Sequence, residues 1–232
     1  KPDLDALEIA LTAACAHQHV QADPLWIFLI GPARSGKTSI IINALAGLRG
    51  AYIISKPTPK TFLSGFKAVR LGDPDPSLLT RLGKTPFILF KDFTSVLSMR
   101  DEDRLQVAGD LREIYDGYLA KPNGRGGENV WSGKATVVAA CTPALDRAWS
   151  VQRDLGERFL SIRCSRRRGP DAAEAARHQR GSEATISSTM RILAARLCED
   201  MSFASLPLLP SIQGARINHL SEILAVLRGK VH

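Results

Sequence analysis

The stretch from Pro24 to Thr38, PLWIFLIGPARSGKT, constrains this chain more than any other. An apolar run, Leu25 to Ile30, meets Gly31, then four variable residues, then Gly36-Lys37-Thr38. This is the G-x-x-x-x-G-K-[ST] spacing of a phosphate-binding loop. The run has the length of a buried strand, and Thr38 to Leu48 reads as a helix stopped by Gly50. The order matters chemically. A strand end delivers a loop whose N–H groups converge on phosphate oxygens, and Gly31 and Gly36 permit a close backbone approach that a Cβ obstructs. The helix that follows turns its unpaired N–H groups and positive dipole end toward the same anion. In this pattern Lys37 serves the β- and γ-phosphates and the Thr38 hydroxyl serves Mg²⁺. Gly31, Pro32, Ala33, Arg34, Ser35, Gly36, Lys37, Thr38 and Ser39 form the expected cradle for a nucleoside triphosphate.

Two later stretches complete such a site. Thr85 to Phe90, TPFILF, is a second buried apolar run, closing on Lys91-Asp92. An apolar strand ending on an aspartate supplies the carboxylate that holds Mg²⁺ beside Thr38. Ala135 to Ala140 is a third strand, ending in Cys141-Thr142-Pro143. It offers Thr142 as a polar group next to that aspartate.

The remaining segments frame these three. Asp3 to His19 reads as a helix with Leu4, Leu7, Leu11 and Ala14 on one face. Ala51 to Ser55 is a strand, Lys56 to Gly72 mostly loop, and Leu78 to Leu82 a short helix. Asp103 to Leu119 reads as a helix with Val107, Leu111, Ile114, Tyr115 and Tyr118 on one side. The glycine- and asparagine-rich Lys121 to Gly133 reads as a β-hairpin or a loop, and Leu155 to Arg163 as a strand. After Gly169-Pro170 the pattern is helical: Asp171 to Arg180, Glu183 to Met201 with Ile186, Met190, Leu193 and Leu197 in register, and Gln213 to Arg228. Strands alternating with helices, followed by helices alone, imply a parallel α/β sandwich over 1–168 with a small helical lid over 169–232.

Composition narrows the partners. With 232 residues and 44% hydrophobic content the chain can bury a full core. No apolar run reaches membrane-spanning length, so no membrane is expected as a partner. The start shows no signal peptide, and the scattered Cys15, Cys141, Cys164 and Cys198 read as reduced thiols of a cytoplasmic protein. The first residue and the abrupt end read as a segment of a longer protein. A net charge of +8 favours a polyanionic partner, and Arg163, Arg166, Arg167 and Arg168 concentrate part of it. Aromatic content of 6% argues against base stacking as the main contact.

In this order the motifs resemble an AAA+ ATPase, and more narrowly the helicase-type ATPases of phages and mobile elements related in layout to minichromosome-maintenance helicases. The resemblance runs from about Leu25 to Arg228. GPARSGKT is similar to the Walker A loop, and FILFKD, ending at Asp92, occupies the Walker B place. VVAACTP matches a sensor-1 strand with Thr142 as its polar residue. LGERF offers Arg158 as an arginine finger, and GARINHLSEIL places Arg216 as sensor 2. NGRGGENVWSGK lies where such helicases carry a DNA-touching hairpin, with Arg125 and Lys134 as contacts. The resemblance implies ATP and Mg²⁺ as ligands, a homo-oligomeric ring such as a hexamer, and DNA as partner. It implies ATP hydrolysis that drives a helicase or translocase in DNA replication. One departure stands out. The family commonly has a glutamate after the Walker B aspartate, and here that residue is Phe93. The competing readings are a nucleotide-dependent switch or scaffold with weak turnover and, further off, a small-molecule kinase.

Overall fold

The computed structural model describes residues 4–19, 23–33, 35–64, 77–123, 127–164 and 181–200. Five strands form one parallel sheet: β1 (Trp26–Ile30), β2 (Ala51–Ile54), β3 (Phe87–Phe90), β6 (Thr136–Cys141) and β7 (Phe159–Arg163), in the order β2-β3-β6-β1-β7. The three inner strands are buried at every position, which is why they read as continuous apolar runs rather than alternating ones. The edge strands β2 and β7 are partly exposed.

A two-stranded antiparallel hairpin stands apart from the sheet. It pairs β4 (Tyr118–Pro122) with β5 (Glu128–Ser132). Among the described residues the helices are α1 (Leu4–His19), α2, α3 (Leu78–Leu82), α4 (Thr94–Leu97), α5 (Asp101–Asp116), α6 (Trp149–Leu155) and α7 (Glu183–Asp200). Here α2 denotes a π-helical start, Lys37–Ile42, continued by Asn43–Leu45. A 3₁₀ turn, Pro143–Arg147, precedes α6.

The sheet has two covered faces. Trp26, Phe28, Ile30, Ile88, Phe90, Val137 and Ala139 form one core with side chains of α3, α4, α5, α6 and the hairpin. The opposite face, with Ile27, Leu29, Leu89, Val138 and Ala140 fully buried, meets α1 and α2, and α7 packs on both of these. The sequence is consistent with an α/β parallel sheet flanked by helices, and that is the architecture found.

Three elements differ from their sequence reading. The helix expected to reach Leu119 stops at Asp116, because Gly117 at φ +93° ends it in the left-handed conformation. Tyr118 therefore belongs to β4 and is 53% exposed instead of packing with Ile114. In α1 the buried side is the small one, Ala6, Ala10, Ala13, Ala14 and Cys15, while Leu4 is 55% exposed. Likewise α7 buries Ala194 and Cys198 and leaves Leu193 59% exposed. Small residues won at both helices because they let the backbones close in. At Gly47 a Cβ would lie 2.4 Å from the Arg191 carbonyl oxygen. The two helices touch each other where Cys15 Sγ and Cys198 Sγ lie 2.8 Å apart.

Helix α7 belongs to the same compact unit as the sheet, packed on α1 and α2. The boundary expected at 168/169 falls among residues outside the described ones. The helices expected at 171–180 and 213–228 lie outside the described residues.

Candidate nucleotide site

The helix after β1 and the helix after β6 leave the sheet on opposite faces: α2 joins α1, while α6 joins α5. Between two adjacent strands whose connections part in this way, a crevice opens at the carboxyl ends. The 31–38 loop follows β1, Thr142 follows β6, and Asp92 lies just past β3 on the far side of β6. Lys37, Asp92 and Thr142 are therefore brought to one end of the sheet, as their sequence order implied.

The loop is built for close packing. Gly36 has φ +92°, and a Cβ on Gly31 would lie 2.6 Å from the Cys164 carbonyl oxygen and 3.0 Å from Ser35 Oγ. The loop is seated from both sides: Gly31 N–H donates to the Cys141 carbonyl (3.1 Å) and Cys164 N–H to that of Ile30 (2.7 Å). Lys37 is only 8% exposed. Its ammonium donates to the carbonyls of Gly31 (2.8 Å) and Pro32 (2.9 Å) and, at 3.4 Å, to Ser35 Oγ. Burial pushes the Lys37 pKa below the ordinary lysine range, and nearby Cys164, Cys141 and Asp92 pull it back. This desolvated ammonium, ringed by its own loop, faces the space the loop encloses. Pro32, Ala33 and Ser39 lie at the surface, and Arg34 falls outside the described residues.

Across the crevice Thr38 Oγ1 donates to the Lys91 carbonyl at 3.2 Å. Asp92 Oδ1 accepts the Thr94 N–H at 3.0 Å, and Ser95 Oγ donates to the Asp92 carbonyl at 2.8 Å, which together wind the start of α4. The donor set fits a magnesium triphosphate: one ammonium, a tight glycine-bearing loop, one hydroxyl and one carboxylate. Mg²⁺ in such sites takes one or two protein groups and draws its other ligands from phosphate and water. Thr38 and Asp92 are the hydroxyl and the carboxylate here that would fill that role.

Residue 93 points elsewhere. Phe93 is fully buried, its N–H bonded to the Ala140 carbonyl (2.7 Å) and its ring packed on Phe28 and Phe90. The residue after Asp92 thus enters the core and not the crevice. Asp101, Glu102 and Asp103 form the exposed first turn of α5, where their charge suits the helix dipole.

Arg158 lies at the other end of the sheet. It precedes β7, and six residues at about 3.3 Å each put it about 20 Å from Cys164 and the loop. Its guanidinium donates to both oxygens of Asp116 (3.1 and 3.2 Å) and to the Leu155 carbonyl (3.1 Å), over the Tyr115 ring. Arg158 therefore serves no phosphate within its own subunit. Lys134 is ion-paired with exposed Asp23 at 2.8 Å. The hairpin is fastened near its open end by Trp131 Nε1 to the Gly83 carbonyl (2.7 Å) and near its turn by Asn129 Nδ2 to that of Ser64 (2.6 Å). Arg125 and Arg216 lie outside the described residues.

Two residues of the site escaped the sequence reading. Cys164 walls the loop at Gly31. Thr94 bridges Asp92 and Thr142: its hydroxyl donates to Thr142 Oγ1 and accepts the Thr142 N–H, each at 3.2 Å. The Asp-x-Thr spacing of an Asx turn was the available signal for Thr94. No protein-family model and no curated protein sequence matches the chain.

Proposed function

We propose that this chain is an ATP-binding and ATP-hydrolysing module of the AAA+ type, the motor of an oligomeric DNA helicase or translocase. One observation carries the reading: the 31–38 loop with its desolvated Lys37, Asp92 and Thr142 gather at the carboxyl ends of adjacent parallel strands. The strand order supports it, because β6 between β1 and β3 sets a polar side chain between the phosphate loop and the carboxylate.

The chemistry assigned to the site is positional and electrostatic. Phosphate oxygens replace the loop carbonyls as partners of Lys37. Thr38 and Asp92 would hold Mg²⁺, whose contribution there would be to neutralise phosphate charge. Thr142 meets the γ-phosphate side. Arg158, about 20 Å from its own loop, acts in trans on a neighbour's nucleotide after leaving Asp116. Arg216 is assigned to the lid, and the hairpin with Arg125 and Lys134 to the DNA backbone. The burial of Phe93 favours a second reading, a nucleotide-dependent switch with little turnover, because Asp92 is then the one acid at the crevice among the motif residues.

Phosphate release from ATP, measured over a range of protein concentration with and without single- and double-stranded DNA, separates the two. The motor reading expects DNA-stimulated turnover that rises faster than linearly with concentration and vanishes in Lys37→Ala. Tight ATP binding without turnover selects the switch.

A further inference from the structure

We infer that Thr94 is a positioning residue of this site: it fixes Thr142 as a hydrogen-bond donor toward the γ-phosphate side and ties it to Asp92. The inference rests on the nucleotide reading above.

A hydroxyl carries one proton and two acceptor positions. Thr94 Oγ1 accepts the Thr142 backbone N–H at 3.2 Å and gives its own proton to Thr142 Oγ1, also at 3.2 Å. Thr142 Oγ1 has thereby received a hydrogen bond from the side facing α4. Its own proton has to be spent elsewhere, and both threonines are only partly buried, at the carboxyl end of β6. An anionic phosphate oxygen is best met by a donor. A threonine free to rotate spends part of its time presenting a lone pair instead. Thr94 removes that choice.

The same residue reaches Asp92 through its backbone, N–H to Oδ1 at 3.0 Å. The carboxylate and the polar side chain of β6 are thus linked through one residue, at the first turn of a helix only four residues long. Cys141 Sγ lies 3.7 Å from the same hydroxyl and adds a weak contact on the buried side. Asp92 and Thr142 are oriented together across the crevice, while residue 93 is committed to the core.

The test compares Thr94→Val, which keeps the shape and deletes the hydroxyl, with Thr94→Ser, which keeps the hydroxyl. Thr142→Val and the double variant complete a cycle. Readouts are kcat, KM, ATP affinity from equilibrium binding, and the thermal midpoint, on the full chain at fixed concentration. Thr94→Val is expected to lose about tenfold or more in kcat with ATP affinity unchanged, the pattern of an interaction used after binding. Thr94→Ser restores kcat to within about twofold of the parent, and the double variant is no slower than Thr142→Val alone, because the two hydroxyls act as one unit. Thr94→Ala replaces the valine variant if the latter does not fold. A purely structural threonine would lower the midpoint and leave kcat of the folded protein unchanged. Wild-type kcat in Thr94→Val, or independent losses from the two threonines, overturns the inference. So does a parent that binds ATP without turning it over, which leaves nucleotide binding intact. A parent that binds no ATP, indistinguishable from Lys37→Ala, overturns the nucleotide reading itself.

Discussion

Replacing Phe93 by glutamate puts an acid at the position where the resembled family carries one, and the structure says that this unfolds the protein instead of speeding it. Phe93 has no exposed surface, and its ring lies 5.1, 5.3 and 6.4 Å from those of Phe28, Phe90 and Phe159. Removing a buried phenyl ring costs about 3–5 kcal/mol, and the glutamate methylenes recover part of that, leaving about 3. The carboxyl enters an apolar cluster and stays neutral, with a pKa near ~8 against about 4.3 in the unfolded chain. At pH 7 that difference costs about 1.4 kcal/mol per pH unit over ~2.7 units, or roughly 3.7. The sum, about 6–7 kcal/mol, rivals the ~5–15 that hold a domain together. The sign gives a sharper test than the size. A carboxyl whose folded pKa is raised loses stability as pH climbs above its unfolded pKa, so Phe93→Glu should lie about 2.7 kcal/mol closer to the parent at pH 5 than at pH 7. Urea unfolding of the parent, Phe93→Leu and Phe93→Glu at both pH values reads this directly. The leucine variant should cost about 1–2 kcal/mol at either pH. A glutamate variant as stable as the leucine one at both pH values, with raised turnover, would refute the placement of residue 93 in the core.

Three further outcomes follow from packing and charge. Asp110 and Lys121 form a buried ion pair, and burial pushes the Asp110 carboxyl above the usual range despite the lysine. Asp110→Leu strands that ammonium and should cost about 3–5 kcal/mol in urea unfolding, while Asp110→Leu with Lys121→Met returns near the parent. His17 lies 2.9 Å from Thr136 Oγ1 and 3.2 Å from the Thr85 carbonyl, an arrangement a neutral ring satisfies, and burial lowers its pKa. As pH falls through about 6.5 the unfolded chain gains a proton that the folded one resists. Stability should therefore drop from pH 7.5 to 5.5 in the parent more than in His17→Gln. Gly47→Ala forces a methyl against the Arg191 backbone. It should cost about 1–3 kcal/mol and speed amide exchange in α7 ahead of the sheet.

The sheet was legible because its inner strands are buried on both faces and so appear as unbroken apolar runs, and because glycine spacing marks the loop. Helix faces were not. In α1 and α7 hydrophobic periodicity picks the leucines and isoleucines, yet close approach of backbones chose alanine and cysteine, a preference that depends on partners far away in sequence. The α5 boundary failed for a local reason. Gly117 was the stop signal, but Tyr118 and Leu119 continue the apolar period past it. Within the site the motif residues were readable one by one. The link made by Thr94 spans 48 positions and exists only because β3 and β6 are neighbours.

Helices α1, α2 and α7 touch one another pairwise, and in structural mechanics three struts joined in a triangle cannot shear. The joints are short. Asn43 Oδ1 on α2 accepts from Arg191 Nη2 (2.8 Å), Arg191 Nε (3.0 Å) and Ser187 Oγ (2.9 Å) of α7, and the two cysteines meet where α7 crosses α1. The wall of the crevice that carries Lys37 is therefore braced. The facing wall is pinned by other means: the Phe93 ring is buried in the core, and Thr94 ties Asp92 to Thr142. A ligand in this crevice would therefore meet two walls already set by the packing behind them, as a casting meets a rigid mould.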